Sequence, residues 1–288
     1  MNIHTLVQDI YDVVGSKQGW FDDALAEGFS RELGLKLVEK TKPRDEVPTL
    51  RLSQMGEVCP KQLWYSIHSP GSQEDVPPYV KIKFTYGDIL ESLLIAMAKA
   101  AGHEVTGEQD VVYVDGIAGH RDCVIDGYVV DVKSAASRPF QEIKNKRMAQ
   151  DPFLSVYLDQ LDGYLVGSAD DPLVRVKDRG YILAIDKTLG HLTLYEHTLR
   201  DLHIRQRIKK YKEIINQDVS PGCECKTVAD GKSGNIKLDT KASYSAYKHC
   251  CFPHLRTFLY SSGPVYLTKV VRKPDVPEVD RNGKIVYN

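Results

Sequence analysis

The chain has no apolar run approaching the roughly 18 residues that a membrane span needs. Its start, MNIHTLVQDIYDVVGSKQGW, lacks a basic region leading into an apolar stretch. Both absences lead us to expect an intracellular, cytoplasmic protein without a membrane partner. An excess of one charge is missing too. The 38 Lys and Arg stand against 39 Asp and Glu, a formal net charge of −1, so any attraction to nucleic acid has to come from a local basic patch. Cysteine is sparse, with six in 288 residues, and in a reducing compartment this argues against a disulfide framework. No internal repeat or low-complexity tract is present. What remains, 42% hydrophobic and 27% charged residues, is an ordinary soluble composition, long enough to bury a substantial core.

Apolar spacing predicts helices over 3–15 and 20–40, the second with a stripe of Leu25, Phe29, Leu33 and Leu37. A short helical region follows within 53–68, then the loop SPGSQEDVPP and a strong helix over 86–101 that Gly102 ends. Strands are expected at 104–106, 110–118, 121–126 and 128–133, a helix at 153–167, and two more strands at 180–186 and 191–197. A charged helix covers 198–216, and a further helix is expected within 243–260. The layout is a helical N-terminal part, a helix-sheet-helix centre and a cysteine-bearing end.

The stretch GHRDCVIDGYVVDVKSA, residues 119–135, is strand-like yet carries three aspartates and a lysine. An inward carboxylate on a strand costs several kcal/mol unless something pairs with it. The acids therefore either face water or hold a cation. Asp126 precedes Gly127 between two strands and reads as a turn residue. Asp131-Val132-Lys133 puts an acid and a lysine on one face of a strand, because side chains alternate. Asp122 lies on a neighbouring strand, and Glu91 on the preceding helix can approach both. Converging carboxylates suit Mg²⁺ or Mn²⁺, while a lysine beside them suits stabilising a developing anion or orienting a water.

An acid on a helix, then Asp, then Asp-x-Lys resembles the PD-(D/E)XK nuclease superfamily. Downstream, Gln160-Leu161-Asp162-Gly163-Tyr164 is similar to the Q-x-x-x-Y motif of its RecB-like branch, which includes the AddB and CRISPR-adaptation nucleases. Gly87-Asp88-Ile89-Leu90-Glu91 and the segment Cys59-Pro60-Lys61-Gln62-Leu63-Trp64-Tyr65 also resemble motifs of that branch, in the same order along the chain. The resemblance runs over about residues 53–260. It implies an α/β fold with a restriction-endonuclease-like core, a mixed and mostly antiparallel central sheet flanked by helices. Residues 1–52 would then be a helical N-terminal region, 53–220 the nuclease core, and 221–288 a cysteine-bearing segment packing on the core. It further implies that Glu91, Asp122, Asp131 and the Val132 carbonyl hold the metal, that Lys133 assists hydrolysis of a phosphodiester, and that Gln160 and Tyr164 belong to the catalytic site. Read from the residues alone, Tyr164 is equally a core aromatic with Gln160 as its polar neighbour.

Many members of this branch carry a 4Fe–4S cluster, with one thiolate before the core and three after it as C-x2-C-x5-C. Here that spacing falls on Ala242, Ser245 and Cys251. Alanine has no donor and neutral serine is a poor ligand for iron. Three readings stand open. The cluster is lost and packing replaces it; Cys223 and Cys225 replace the missing ligands beside Cys59 and Cys251, for a cluster or Zn²⁺; or the chain is an altered version of a four-cysteine parent. Cys123 reads as a core thiol.

Arg138, Lys144, Lys146 and Arg147 follow the acid-x-Lys strand and are the expected DNA contacts, with Phe140 and Phe153 available to stack on a strand end. The expected activity is Mg²⁺- or Mn²⁺-dependent DNA cleavage, exonucleolytic on single strands or duplex ends, of a kind suited to phage or mobile-element DNA processing and recombination. An internally cutting endonuclease on the same fold, and a non-cleaving module that binds DNA or a protein partner, are the alternatives.

Overall fold

The computed structural model describes residues 1–42, 48–56, 58–281 and 283–286. In chain order the helices and strands begin with α1 (Leu6–Gly15), α2 (Asp23–Thr41), α3 (Pro60–His68) and α4 (Pro78–Ala100). Strands β1 (Val105–Thr106), β2 (Val111–Val114), β3 (Ile117–His120), β4 (Cys123–Ile125) and β5 (Tyr128–Ala135) follow. Next come α5 (Ser137–Lys144), α6 (Ser155–Gly167), β6 (Arg179–Asp186), β7 (Leu192–Thr198) and α7 (Asp201–Ile215). The remainder is β8 (Thr227–Ala229), β9 (Ile236–Leu238), α8 (Thr240–Ser243), α9 (Lys248–Cys251), β10 (Arg256–Tyr260), β11 (Gly263–Lys269) and β12 (Glu278–Val279). The chain divides into two compact units, Met1–Gly56 with Pro78–Ile208, and Glu57–Pro77 with Lys209–Asn288.

The first unit is built on a sheet of order β1-β4-β5-β6-β7, antiparallel throughout except for the parallel pair β5–β6. A parallel pair needs a long crossover, and α5 and α6 lie within it. Val130 and Val132 of β5 pack with Leu90, Leu94, Ile95 and Ala98 of α4, and Leu6 and Ile10 of α1 join the same cluster. Alternation along β5 then turns Val129, Asp131 and Lys133 to the other face. That face meets α6: a side chain on Gly180, which pairs with Val129, would strike Leu161. The mixed, mostly antiparallel five-stranded sheet with helices on both faces is the α/β architecture the sequence leads us to expect, and it agrees with a restriction-endonuclease-like core.

The strand expected over 110–118 is instead the hairpin β2–β3. Asp115 and Gly116 turn it with φ of +49° and +80°, the left-handed pair that an Asp-Gly turn provides. Asp126 and Gly127 repeat this geometry between β4 and β5, with φ of +51° and +82°, so Asp126 is the expected turn residue. Its carboxylate is also engaged, 2.7 Å from His103 Nδ1 and accepting from the Glu104 N–H. The apolar stripe of α2 is half-covered, and no residue of that helix is buried.

The second unit carries an antiparallel sheet of order β12-β10-β11-β9-β8. Leu238, Ala242 and Leu255 form one of its apolar clusters, with Cys225, Phe252 and Tyr266 against them. The helix expected within 243–260 does not form as one element. Two short turns, α8 and α9, end before Pro253, which cannot sit inside a continuing helix. Residues 256–260 then pair with β11 as a strand. No helix among the described residues is long and apolar enough to cross a membrane.

Candidate functional site

The antiparallel ladder of β4 and β5 ends on the pair Cys123–Val130, and Asp122 directly precedes it, close enough to Asp131 for the two charges to act on each other. Like charges held close together repel. Here both are buried, with Asp122 9% exposed and Asp131 0%. Asp122 Oδ2 accepts the Val132 N–H at 2.7 Å. Asp131 Oδ2 is met by Lys133 Nζ at 2.7 Å, an ion pair that is also its hydrogen bond, while Oδ1 has no partner. Burial pushes the Asp131 carboxyl up to about 7, against the pull of Lys133 and with the push of Asp122 and Glu91. Burial opposes the charge of Lys133, but Asp131 and Asp122 outweigh it and hold the ammonium well above the ordinary lysine range. The same Nζ lies 5.1 Å over the ring of Tyr157.

Glu91 sits on α4, one turn beyond the point where Gly87 approaches Ser134 of β5. Burial raises its carboxyl to about 7, and the Asp122 charge adds to this while Lys36 and Lys133 oppose it. The four side chains Glu91, Asp122, Asp131 and Lys133 are therefore close enough to shift one another's protonation. Two partners of Glu91 escaped sequence reasoning. Lys36 Nζ of α2 donates to Oε1 at 2.6 Å, and Gln109 Nε2 donates to the same oxygen at 2.9 Å. One turn before Glu91, the buried Asp88 pairs with Lys40, and its Oδ2 has no partner. The signal was faint: lysines four apart on α2 meet acids three apart on α4. Arg121 is a third residue missed. It is fully buried, paired with Asp110 at 2.7 Å and Asp171 at 2.5 Å, and pins the chain just ahead of Asp122.

On α6, Gln160 Nε2 donates to the Tyr164 hydroxyl at 2.6 Å. Tyr164 is 2% exposed, and burial, followed by the charges of Asp131 and Asp122, holds its hydroxyl above the usual tyrosine range. Cys123 is fully buried, as a core thiol should be. Arg138, Lys144, Lys146 and Arg147 are all exposed, but Nε and Nη2 of Arg147 donate to Glu142, at 2.7 and 2.8 Å. Phe140 is completely buried, so the expectation that it stacks on a strand end is corrected: the amphipathic α5 turns it into the core. Phe153 is exposed.

Another exposed surface has no forerunner in the sequence reading. Residues 81–86 of α4, KIKFTY, are exposed on every side of the helix. Phe84 lies seven residues before Glu91, two turns along the same face, and is 58% exposed. Lys83 directly precedes it and Lys81 lies one turn before it.

The second unit gathers four cysteines. The sulfurs of Cys59, Cys223, Cys225 and Cys251 all lie within 4.8 Å of one another, the one such set of metal-ligating donors among the described residues. Cys59 precedes Pro60 at the start of α3, and Cys251 ends α9. The family spacing is not what the chain uses. Ala242 is buried in α8, and Ser245 Oγ accepts the Tyr247 N–H. A four-iron cube binds each thiolate to a different iron and so holds the sulfurs further apart than one ion does. The sulfurs here are too close together for it, and the donor set does not fit the cluster that the resemblance implies.

No protein-family description matches the chain, and no curated protein matches it. Solved structures similar to it include one described as the crystal structure of SSO0001, at 18% identity, covering 67% of this chain and 88% of that one with a TM-score of 0.41. Another is an alkaline exonuclease (LHK-Exo) from Laribacter hongkongensis, at 10% identity, covering 73% and 84% with a TM-score of 0.32. The same exonuclease in complex with dAMP gives 11% identity and a TM-score of 0.31 over the same shares. Likeness at this level does not define an activity, and what the chain can do follows from its own side chains.

Proposed function

We propose that this chain is a metal-dependent DNA nuclease, with Glu91, Asp122, Asp131 and the Val132 carbonyl holding Mg²⁺ or Mn²⁺. One observation carries the reading: the carboxylates of Asp122 and Asp131 are buried close enough for their charges to act on each other, and Asp131 keeps an oxygen with no partner beside its ion pair with Lys133. A pair of this kind destabilises the fold that contains it, whereas hard oxygen donors are what these cations take. The Glu91, Asp122 and Asp131 carboxylates stand further apart than the 4.8 Å within which the four sulfurs gather, and binding the ion would draw them together. When bound, the ion would lower the pKa of a water and neutralise charge at a scissile phosphate.

The remaining roles belong to the chain itself. Lys133, held between Asp131 and the face of Tyr157, presents a fixed positive charge to an anionic oxygen. Lys36 and Gln109 fix the Glu91 carboxylate. Tyr164 acts through Gln160, whose amide it orients. Arg138, Lys144 and Lys146 offer phosphate contacts. Phe84, next to Lys83 and one turn from Lys81, offers a face on which an unpaired base stacks. That surface suits strands with unstacked bases, so we read the activity as exonucleolytic on single strands or duplex ends.

Linear and covalently closed duplex DNA, each incubated with and without Mg²⁺ or Mn²⁺, test this. Degradation of the linear form alone, dependent on the cation and lost in Asp131→Ala and Lys133→Ala while both variants still bind DNA, is expected. Cutting of the closed circle would assign an endonuclease instead. Full activity in either variant overturns the site, and binding without cleavage under every cation would leave a DNA-binding module.

A further inference from the structure

We infer that Cys59, Cys223, Cys225 and Cys251 form a closed, tetrahedral site for one zinc ion in place of an iron–sulfur cluster. The geometry of the sulfurs comes first. Sulfurs at about 2.3 Å from one tetrahedral ion lie about 3.8 Å apart, and no two of them can exceed about 4.6 Å. Cys59 Sγ and Cys251 Sγ are 3.7 Å apart, and Cys225 Sγ and Cys251 Sγ 3.5 Å. Every pair lies within 4.8 Å, so at most a small inward shift brings the widest pair under that ceiling. A disulfide bond would bring two sulfurs to about 2.05 Å, and all four cysteines are free.

The surroundings supply a second, separate observation. The Glu224 N–H points at Cys59 Sγ at 3.3 Å, and the Cys225 N–H at Cys223 Sγ at 3.4 Å. Gln62 Nε2 points at Cys225 Sγ at 3.0 Å. Donors aimed at sulfur stabilise thiolates, the form that binds metal, and orient ligands around an ion. Four thiolates without an open position make a structural rather than a catalytic centre. Tetrahedral sulfur sites take zinc or iron, and for one donor set the divalent affinity order places Zn²⁺ above Fe²⁺. The inference does not depend on the nuclease reading, since no carboxylate of that site takes part.

Metal and acid-labile sulfide analysis of full-length protein purified without oxygen tests it. One zinc per chain, with no sulfide and no visible charge-transfer absorption, is expected. Exchange with Co²⁺ should give the intense visible spectrum of a tetrahedral four-thiolate site, and Cys223→Ser should alter that spectrum. Cys223 is exposed, so this variant is suited to reading the site in a folded chain. Iron with matching sulfide would overturn the proposal in favour of a cluster. One iron without sulfide would overturn the zinc assignment, and a chain that holds no metal and gives no such cobalt spectrum would overturn the site itself.

Discussion

Asp131 is fully buried, with Lys133 against one of its oxygens and the Asp122 charge nearby, and its response to pH follows from that. Its carboxyl moves from an ordinary 3.8 up to about 7 in the fold, and Glu91 moves from 4.5 to about 7. A raised carboxyl binds its proton more tightly folded than unfolded. Its contribution to stability is therefore present below about pH 4 and lost as pH rises through about 7, with the two acids titrating as one coupled set. A divalent ion that binds the ionised pair reverses this cost. Mg²⁺ or Mn²⁺ should stabilise the fold at pH 8 by on the order of 2–3 kcal/mol at one hundred times the dissociation constant, seen as a clear rise in Tm, and should do little at pH 5. Thermal melts at the two pH values, repeated with Asp131→Asn, check it. Equal shifts at both would remove the coupling between ion and carboxylates. At this scale the sequence displayed the acids and the lysine through strand alternation. It could not display how close Asp122 comes to Asp131, nor Lys36 and Gln109, which reach Glu91 from 55 and 18 positions away.

Helix α4 joins an anchored half to a projecting half. Leu90, Leu94 and Ile95 bury its later turns, and this periodicity made 86–101 legible. Its first turns bury nothing, so no stripe marked them, although they carry Tyr79, Ile82, Phe84 and Tyr86 in exposed positions. Large apolar side chains standing in water beside lysines suggest a ligand rather than a core. Seven residues of helix separate Phe84 from Glu91 by about 10 Å, near enough for one strand to reach both. Stacking of a base on an aromatic ring is worth about 1–3 kcal/mol, so Phe84→Ala should weaken single-strand binding about tenfold. Its Tm should stay where it was, because the ring covers little of the fold. Fluorescence titration with a short oligonucleotide measures the affinity, and unchanged binding would discard the stacking role. Elsewhere at this scale, short-range chemistry decides what was legible. Asp115-Gly116 spelled a hairpin inside an apparent single strand. Residues 243–260 carried helical spacing that Pro253 and the pairing of β10 with β11 override.

At the scale of the whole molecule, two units carry separate apolar cores, and only the second has the cysteine centre. The grouping of Cys223 and Cys225 with Cys59 and Cys251 was one of three readings open in the sequence, and the sequence did not choose among them, because Cys59 and Cys251 are 192 positions apart and β8 and β9 lie between Cys225 and Cys251. No short spacing pattern survives that insertion. Metal binding to a site absent from the unfolded chain is folding free energy, so stripping the ion should loosen the unit that holds it. Hydrogen exchange on chelator-treated protein should show faster exchange across residues 223–251 and in α3, with β5 and β6 of the other unit unchanged. Restoring Zn²⁺ should restore protection. Each unit packs its own core, so this difference between units is what a structural ion predicts. Equal loosening in both units, or none in either, would mean that the four sulfurs do not stabilise the unit that contains them.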